Sequence, residues 1–330
     1  MDLTTRYMGL KLKNPLIAGA SPLNGDLDNI RRLEEAGAGA IVLPSIFEEQ
    51  IEYEEVLIDR LINAGSDSYG EALTYFPAQP AYGIDPAGYV DLVRRAVKAV
   101  DIPIIASLNG TTNQGWIDYA RQIEEGGARA IELNIYFIPS DIELSGREVE
   151  QRYLQIVKAV KRAVKIPLAV KIGPYFSAIG HMARQLDHAG ANGLVLFNRF
   201  YQPDIDLARL AMASNLELSR TNEIRLPLLW IGVLAGHVKA SLAASTGVES
   251  ADEVIKYLLA GADAVMTTSA LLKYGVGHMR HLLIGLETWL AARDLGSLEP
   301  IRGRMAHRKI PDMSAFERAN YIKTLQSHRG

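Results

Sequence analysis

Cysteine is absent from all 330 positions of the chain. The sequence therefore excludes disulfide bonds, thiolate ligands for a metal ion or an iron–sulfur cluster, and a cysteine nucleophile or base. An excess of charge of one sign is also lacking, because the formal net charge is -3 and charged residues make up 22% of the chain. So balanced a composition gives no global field that would attract nucleic acid or an anionic membrane.

Long apolar runs and targeting signals are also lacking. The longest conspicuous apolar run extends from Leu226 to Ala235, far short of the ~20 residues that span a bilayer. The N-terminal sequence MDLTTRYMGL does not show the basic and then apolar pattern of a signal peptide. We therefore expect a soluble cytoplasmic protein with no membrane partner.

Four similar segments recur along the chain, beginning at Glu35, Glu125, His188 and Leu259. Each places a glycine after a helix-like stretch and an apolar run after the glycine. This is the pattern of a helix C-cap that leads into a buried strand. The recurrence predicts repeated helix-to-strand units within one architecture.

Apolar runs predict eight strands, at 14–20, 38–44, 102–108, 129–135, 167–172, 192–198, 239–245 and 262–267. The runs are continuously apolar, as in parallel strands that are covered on both faces. Eight such βα units predict an α/β protein with a single (β/α)8 TIM-barrel domain over residues 1–330. A doubly wound open sheet is the alternative, but its GxGxxG fingerprint does not follow the first strand, where the sequence is AGASPLNG.

Three stretches exceed ordinary βα loops, namely the insertions at 45–85 and 199–238 and the C-terminal extension 294–330. Long insertions on such a scaffold usually build the site or a lid. Within the second insertion, the run 226–234 predicts an extra strand that covers the barrel. The extension is rich in Lys and Arg but has no aromatic stacking platform, which predicts a docked tail or a subunit contact and no nucleic-acid site.

Polar residues stand at the predicted strand ends, where the catalytic side chains of a barrel are expected. They include three amides and one lysine: Asn109, Asn134, Asn198 and Lys171. Amides donate and accept at ring N–H and C=O groups, and a lysine supplies positive charge against an electron-rich ring. The set suits a planar, polar heterocycle.

Other interpretations of these residues remain open. Lys171 lies in an apolar strand, where a buried ammonium needs a partner, and Glu132 on the neighbouring strand can form that ion pair. Lys171 can also be the Schiff-base lysine of an aldolase. The amides can be structural caps. His278 and His281 have a spacing that suits a metal ion, but no third ligand accompanies them, so no metal site is predicted.

Two turns late in the chain suit a phosphate group. One is Ser245-Thr246-Gly247, and the other is Thr267-Thr268-Ser269. Each precedes a predicted helix, whose N-terminus offers free N–H groups and the positive end of the helix dipole. In an eight-stranded barrel, the loops after the seventh and eighth strands commonly hold a phosphate.

In order and spacing, these segments resemble the dihydroorotate dehydrogenase family, in particular its divergent dihydroorotate dehydrogenase-like branch. The resemblance runs from GLKLKNPLIAGAS, which begins at Gly9, through IELN, which ends at Asn134, and VK, which ends at Lys171. It continues through TGVES, from Thr246, to AGADAVMTTSAL, which ends at Leu271. It implies an FMN-binding (β/α)8 barrel, an oxidoreductase acting on CH–CH groups, a role in pyrimidine metabolism and a homodimer.

The resemblance also implies roles for individual residues. Lys171 would stabilise negative charge on the reduced flavin. Asn134, Asn198 and Arg199 would contact the substrate, with Arg199 as a partner for a carboxylate. The expected cofactor-binding residues are Ala20, Ser21, Asn109, Asn134, Lys171, Thr246, Gly247, Thr267, Thr268 and Ser269.

The sequence departs from the family after the fourth strand. The family has a short turn there with a Cys or Ser base, whereas this chain has Ile135 to Ser140. Tyr136 and Ser140 are the remaining candidates for a base, although a phenol is a poor base at neutral pH. The sequence also has Leu43-Pro44-Ser45 where the family has a lysine, and Thr268 where it has a glycine.

From these departures we expect flavin binding to be retained and dihydroorotate oxidation at a family-like rate to be lost. The predicted function is hydride transfer between a small planar, dihydropyrimidine-like substrate and FMN. The alternative is a catalytically degenerate FMN-binding subunit that works with an electron-transfer partner in a larger redox system.

Overall fold

The computed structural model of the chain describes residues 1–47, 86–110, 116–200, 203–213, 217–308, 310 and 312–327. The predicted insertion at 45–85 therefore lies outside the described residues, except for its first three positions. A few residues of the insertion at 199–238 and of the C-terminal extension lie outside them as well.

Eight parallel strands close into a barrel in which successive barrel strands along the chain are neighbours, and the last pairs with the first. They are β3 (Leu16–Ala18), β4 (Ala40–Phe47), β5 (Ile104–Asn109), β6 (Ala130–Asn134), β7 (Leu168–Ile172), β8 (Gly193–Leu196), β11 (Ser241–Ala244) and β12 (Ala264–Thr267). Each overlaps one of the predicted ranges, so the eight strands and the (β/α)8 barrel are confirmed. The open-sheet alternative is wrong, because β12 pairs with β3 and closes the ring.

Helices alternate with the barrel strands and cover them. They are α1 (Leu27–Glu35), α2 (Pro86–Ala99), α3 (Trp116–Glu125), α4 (Gly146–Ala163), α5 (Ile179–Ala189), α6 (Arg225–Leu234), α7 (Ala251–Ala260), α8 (Ser269–Tyr274), α9 (His278–Ala291) and α10 (Met313–Ser327). The predicted glycine caps are present at the ends of α5 and α7, where Gly190 and Gly261 have φ angles of 105° and 119°. This left-handed conformation carries little cost for a residue without Cβ.

A short hairpin closes the N-terminal end of the barrel. It consists of β1 (Thr5–Tyr7) and β2 (Leu10–Leu12), which pair antiparallel. Its buried Tyr7 and Leu12 pack on small residues that line the barrel interior, such as Ala40, Ala130 and Ala264. The hairpin fills this end, so the C-terminal ends of the strands form the open mouth, where a barrel carries its site.

One prediction within the second insertion is wrong. The run 226–234 is not an extra strand but part of helix α6, which provides the helix between β8 and β11. A continuous apolar run does not distinguish a buried helix from a buried strand. Pro227 lies in the first turn of α6, where the missing N–H costs no hydrogen bond. In its described residues, the insertion contains the antiparallel pair of strands β9 (Asp204–Asp206) and β10 (Ala211–Ala213).

The segment that follows α9 packs against α6 and α7. Leu298 and Ile301 are buried, and the backbone N–H of Gly303 donates to Leu258 O. Beyond it, His307 Nδ1 lies 3.4 Å from Glu317 Oε1 on α10. No helix in the described ranges combines the length and apolar character needed to cross a membrane.

Candidate active site at the barrel mouth

Two asparagines meet above the lysine that separates their strands. Asn134 ends β6, Lys171 lies beside it in register on β7, and Asn198 follows β8. The Asn198 Nδ2 atom donates to Asn134 Oδ1 across 2.6 Å. The structure thus brings together three of the residues predicted from the sequence, and two amides and an ammonium face the barrel mouth.

A buried carboxylate lies beneath this group. Glu132 has only 1% of its side chain exposed, and its Oε1 lies 3.9 Å from Lys171 Nζ. Neither carboxylate oxygen has a hydrogen-bond partner within the described residues. Burial raises the pKa of Glu132, and the nearby Lys171 charge lowers it in part. The ion pair predicted as a structural alternative therefore exists, and it forms the floor of the same site.

Asn109 extends the polar group on the other side of Asn134. It is buried, and it is in register with Asn134 on the neighbouring strand. One layer below it, Ser107 Oγ hydrogen-bonds Ser45 Oγ at 2.8 Å. Ser45 belongs to the stretch Leu43-Pro44-Ser45, which stands where the family has a lysine, so a pair of neutral hydroxyls lies in this part of the barrel.

The loop after β3 contributes Ala20 and Ser21. Ser21 is buried, and its Oγ has no hydrogen-bond partner within the described residues. The loop is held by Asn24, whose Nδ2 donates to both Gly19 O and Val42 O. Asn24 was not predicted as a site residue, although the sequence places this amide in the loop after the first barrel strand.

Three aromatic rings follow the polar strand ends and pack together. The ring centroids of Tyr136 and Phe200 are 4.7 Å apart, and those of Tyr175 and Phe200 are 5.3 Å apart. Phe200 lies against Gly173, where a Cβ would approach the ring to 2.9 Å. These rings follow β6, β7 and β8, so they form an aromatic wall next to Asn134, Lys171 and Asn198. Only Tyr136 was predicted as a site residue.

The two candidate bases have different environments. Tyr136 is half-buried and packs on Phe200. Ser140 is exposed, and its backbone N–H donates to Ile138 O. Their assignment as bases stays a prediction.

Arg199 is engaged within its own insertion. Its Nε lies 2.9 Å from Glu223 Oε2, and its guanidinium also donates to Glu217 O. A substrate carboxylate would therefore have to compete with Glu223 for this charge. The predicted role of Arg199 as a carboxylate partner needs this ion pair to open.

Ser219 links the two turns that were predicted to hold a phosphate. Gly247 N donates to Ser219 Oγ at 3.2 Å, and Ser219 Oγ lies 2.9 Å from Ser269 Oγ. The backbone N–H of Ser219 also donates to Ser269 Oγ, at 3.0 Å. Two N–H groups and two hydroxyls therefore converge at one point. No sequence pattern indicated Ser219, which lies in the second insertion and is distant from both turns along the chain.

Threonines shape the rest of these turns. Thr246 has a φ of 87°, a left-handed conformation that is strained for a β-branched residue and is found mainly at functional sites. The Thr267 hydroxyl donates to Val248 O at 3.0 Å. The Thr268 hydroxyl fills the space where Gly19 lacks a side chain, since a Cβ at Gly19 would collide with it.

These features can hold a ligand with two different ends. The donors around Ser219 suit the oxygens of a phosphate monoester, while the amides and Lys171 suit a planar polar ring. Among the described residues, no group of three or more His, Cys, Asp or Glu side chains could hold a metal ion. The His278 ring stacks on His281, and its Nε2 lies 2.8 Å from Glu249 O.

Comparison with known proteins gives consistent matches. The family model described as dihydroorotate dehydrogenase matches residues 2–290. A putative dihydroorotate dehydrogenase A (fumarate) of Aeropyrum pernix is 27% identical, covering 93% of this chain and 98% of the relative. The catalytic subunit of dihydroorotate dehydrogenase B (NAD(+)) from Thermoplasma volcanium is 26% identical, over 92% and 98%. The NAD-dependent dihydropyrimidine dehydrogenase subunit PreA of Escherichia coli is 23% identical, over 94% and 78%.

Proposed function

The chain belongs to the dihydroorotate dehydrogenase family, and on that premise we propose that it is an FMN-dependent oxidoreductase. Its substrate is a small planar ring of the dihydropyrimidine kind, from which a hydride is transferred. The observation that carries this proposal is the Asn134, Lys171 and Asn198 group at the mouth, with the 2.6 Å contact between its amides.

The phosphate end of FMN fits the donors around Ser219. In the structure these donors satisfy one another, because Ser219 Oγ accepts from Gly247 N and bonds Ser269 Oγ. A phosphate oxygen accepts from N–H and O–H groups more strongly than a neutral hydroxyl does. The same four donors can therefore form hydrogen bonds to a phosphate without leaving a buried polar group unpaired.

The ring end fits the strand termini. Ser21 Oγ is buried without a hydrogen-bond partner among the described residues, and a buried hydroxyl of this kind is usually satisfied. A flavin has polar N and O atoms along its pyrimidine edge, which Ser21 and Asn109 can bind. Lys171 would supply a positive charge to stabilise the negative charge of the reduced ring. When bound, FMN supplies a ring that accepts a hydride.

The chain's own groups position and polarise the substrate. Asn134 and Asn198 each carry a donor and an acceptor, so together they can bind the alternating N–H and C=O groups of a dihydropyrimidine. The aromatic wall of Tyr136, Tyr175 and Phe200 lies beside them and favours a flat ring. With Arg199 bound to Glu223, an uncharged ring fits this site better than a carboxylate-bearing one.

The absorbance spectrum of the purified protein tests the cofactor. We expect flavin bands in the protein as isolated, or after it is mixed with FMN and desalted. The control is riboflavin, which lacks the phosphate and should bind more weakly. Protein that shows no flavin bands and binds no FMN would contradict the proposal.

The second candidate is a binding subunit that passes electrons within a larger assembly. The sequence favours it, because the chain has no cysteine to act as a base and has Leu43-Pro44-Ser45 where the family has a lysine. Two of the relatives are named as subunits. Anaerobic mixing with dihydrouracil and dihydroorotate distinguishes the two: rapid bleaching of the flavin by either compound contradicts the second candidate, and no bleaching by either compound supports it.

A further inference from the structure

Hydrogen bonds to the described residues do not explain why the acidic side chain of Glu132 is buried. It lies in the middle of β6, two residues before Asn134, and is 1% exposed. Neither of its carboxylate oxygens has a hydrogen-bond partner within the described residues. Buried carboxylates are normally satisfied by several donors, because desolvation of an unpaired charge is costly. The residue therefore stabilises the fold poorly, which suggests another role.

Three titratable groups from three other elements face Glu132. Lys171 on β7 lies above it, with 3.9 Å between Nζ and Oε1. Tyr7 on β1 lies on the side of the closing hairpin, and its buried hydroxyl has no partner among the described residues. The charge of Glu132 also acts on Tyr89 of α2. The Tyr89 hydroxyl hydrogen-bonds the backbone C=O and N–H of Ser107. The cation in this set is Lys171, which lies near the C-terminal end of β7 with 13% of its side chain exposed.

This geometry links the proton affinity of Glu132 to charge at the mouth. Burial raises the pKa of Glu132, and Lys171 opposes that shift. Negative charge arriving on the far side of Lys171 attracts the ammonium and adds repulsion for the carboxylate. Both effects favour protonation of Glu132, because coupled groups titrate as a unit.

Resting on the proposed function, we propose that Glu132 is a proton store beneath Lys171. It takes one proton from solvent when negative charge collects at the ring edge that Lys171 faces, and it releases that proton when the charge leaves. The new bond is an O–H bond on the carboxylate. The two electrons come from the hydride that the substrate gives up. The buried Glu132 and Lys171 region thereby gains one positive charge for each negative charge added at the mouth.

The pH dependence of the flavin midpoint potential tests this role, with dithionite as reductant and purified holoprotein. One extra proton per two electrons is a tenfold change per pH unit, which is about 30 mV per pH unit for a two-electron couple. We expect the potential of the wild type to fall more steeply than that of Glu132→Gln by about this amount, in the pH range where Glu132 titrates. Equal slopes would overturn the proposal and leave Glu132 as a fixed counter-ion.

Glu253→Gln is the matched control. Glu253 on α7 is also buried and has a lysine at the same distance, since Lys256 Nζ lies 3.9 Å from its Oε1. Its carboxylate accepts hydrogen bonds from Ser250, so its role is that of a capping residue at the start of α7. This variant should keep the slope of the wild type. Loss of the slope in both variants would also contradict a specific role for Glu132.

If Glu132→Gln does not fold, infrared difference spectra of the wild type test the proposal instead. Reduction of the holoprotein should add one protonated carboxyl band, and labelling with 13C-glutamate should shift it. A holoprotein that is reduced without this band overturns the proton store but not the flavin proposal. Protein that binds no flavin contradicts the proposed function itself, so the two failures are distinguishable.

Discussion

The amide of Asn198 donates to Asn134 Oδ1 at 2.6 Å, across a strand that places Lys171 between them. The two residues are 64 positions apart in the chain, and the contact exists because the barrel places the ends of β6, β7 and β8 side by side. This hydrogen bond fixes the orientation of the Asn134 and Asn198 amides relative to each other. Substrate recognition in the proposed function depends on this orientation.

Asn198→Ala should therefore damage the site more than the fold. The substitution leaves the mostly buried Asn134 Oδ1 without its donor, and an unsatisfied buried group costs about 1–3 kcal/mol. We expect flavin reduction by dihydrouracil to slow at least tenfold while FMN stays bound, as measured by stopped-flow absorbance. Asn192→Ala is a control, because this amide binds Leu168 N away from the mouth. An unchanged reduction rate in Asn198→Ala would count against the assignment.

Ser219→Ala should weaken binding of the cofactor phosphate. It removes a hydroxyl from the four converging donors, and a hydrogen bond to a charged group contributes about 1.5–3 kcal/mol. We expect the Kd for FMN to rise roughly 10- to 100-fold, and the Kd for riboflavin to stay the same, in fluorescence titrations. Tighter FMN binding in the variant would mean that Ser219 competes with the phosphate, contrary to the prediction.

Gly19→Ala and Thr268→Ala test the fit between the loop after β3 and the turn after β12. A Cβ at Gly19 collides with the Thr268 hydroxyl, so the first variant alone should lose stability, by about 1–3 kcal/mol as overpacked sites do. The double variant should recover most of that loss, since the hydroxyl is gone. Urea unfolding of all four proteins gives the coupling energy. Simple additivity would show that the collision is relieved elsewhere.

Tyr7→Phe and Tyr89→Phe should change stability in opposite directions. The Tyr7 hydroxyl is buried without a hydrogen-bond partner in the described part of the chain, so its removal should stabilise the fold by about 1 kcal/mol. The Tyr89 hydroxyl donates to Ser107 O and accepts from Ser107 N, so its removal should destabilise by a similar amount. Denaturant unfolding under identical conditions measures both. The same sign for the two variants would refute the distinction.

The stability of the cofactor-free protein should fall with rising pH because of Glu132. The pKa of Glu132 is raised in the folded state, so the folded protein binds its proton more tightly than the unfolded chain does. Between the unfolded and the folded pKa, stability therefore decreases as pH increases. The free energy of unfolding of Glu132→Gln, relative to that of the wild type, should be higher at pH 8 than at pH 5. A difference that does not vary with pH would contradict a raised pKa.

The sequence by itself determined the barrel. Helix caps such as Gly190, and the apolar runs after them, are local signals, because backbone conformation and burial act within a few neighbouring residues. The eight strands and the polar residues at their ends could be predicted for this reason. The prediction of a strand at 226–234 was wrong because a continuous apolar run fits either a buried helix or a buried strand.

Only the tertiary structure decided which side chains meet. Ser219 joins Gly247 and Ser269, and Phe200 covers Gly173, although nothing in the local pattern of these residues indicates a partner. The tertiary structure also decided that Arg199 binds Glu223 and that Glu132 lies beneath Lys171 with no hydrogen bond from the described residues. Such contacts depend on distances between strands and loops that are remote in sequence. Those distances are fixed only when β12 pairs with β3 and the barrel closes.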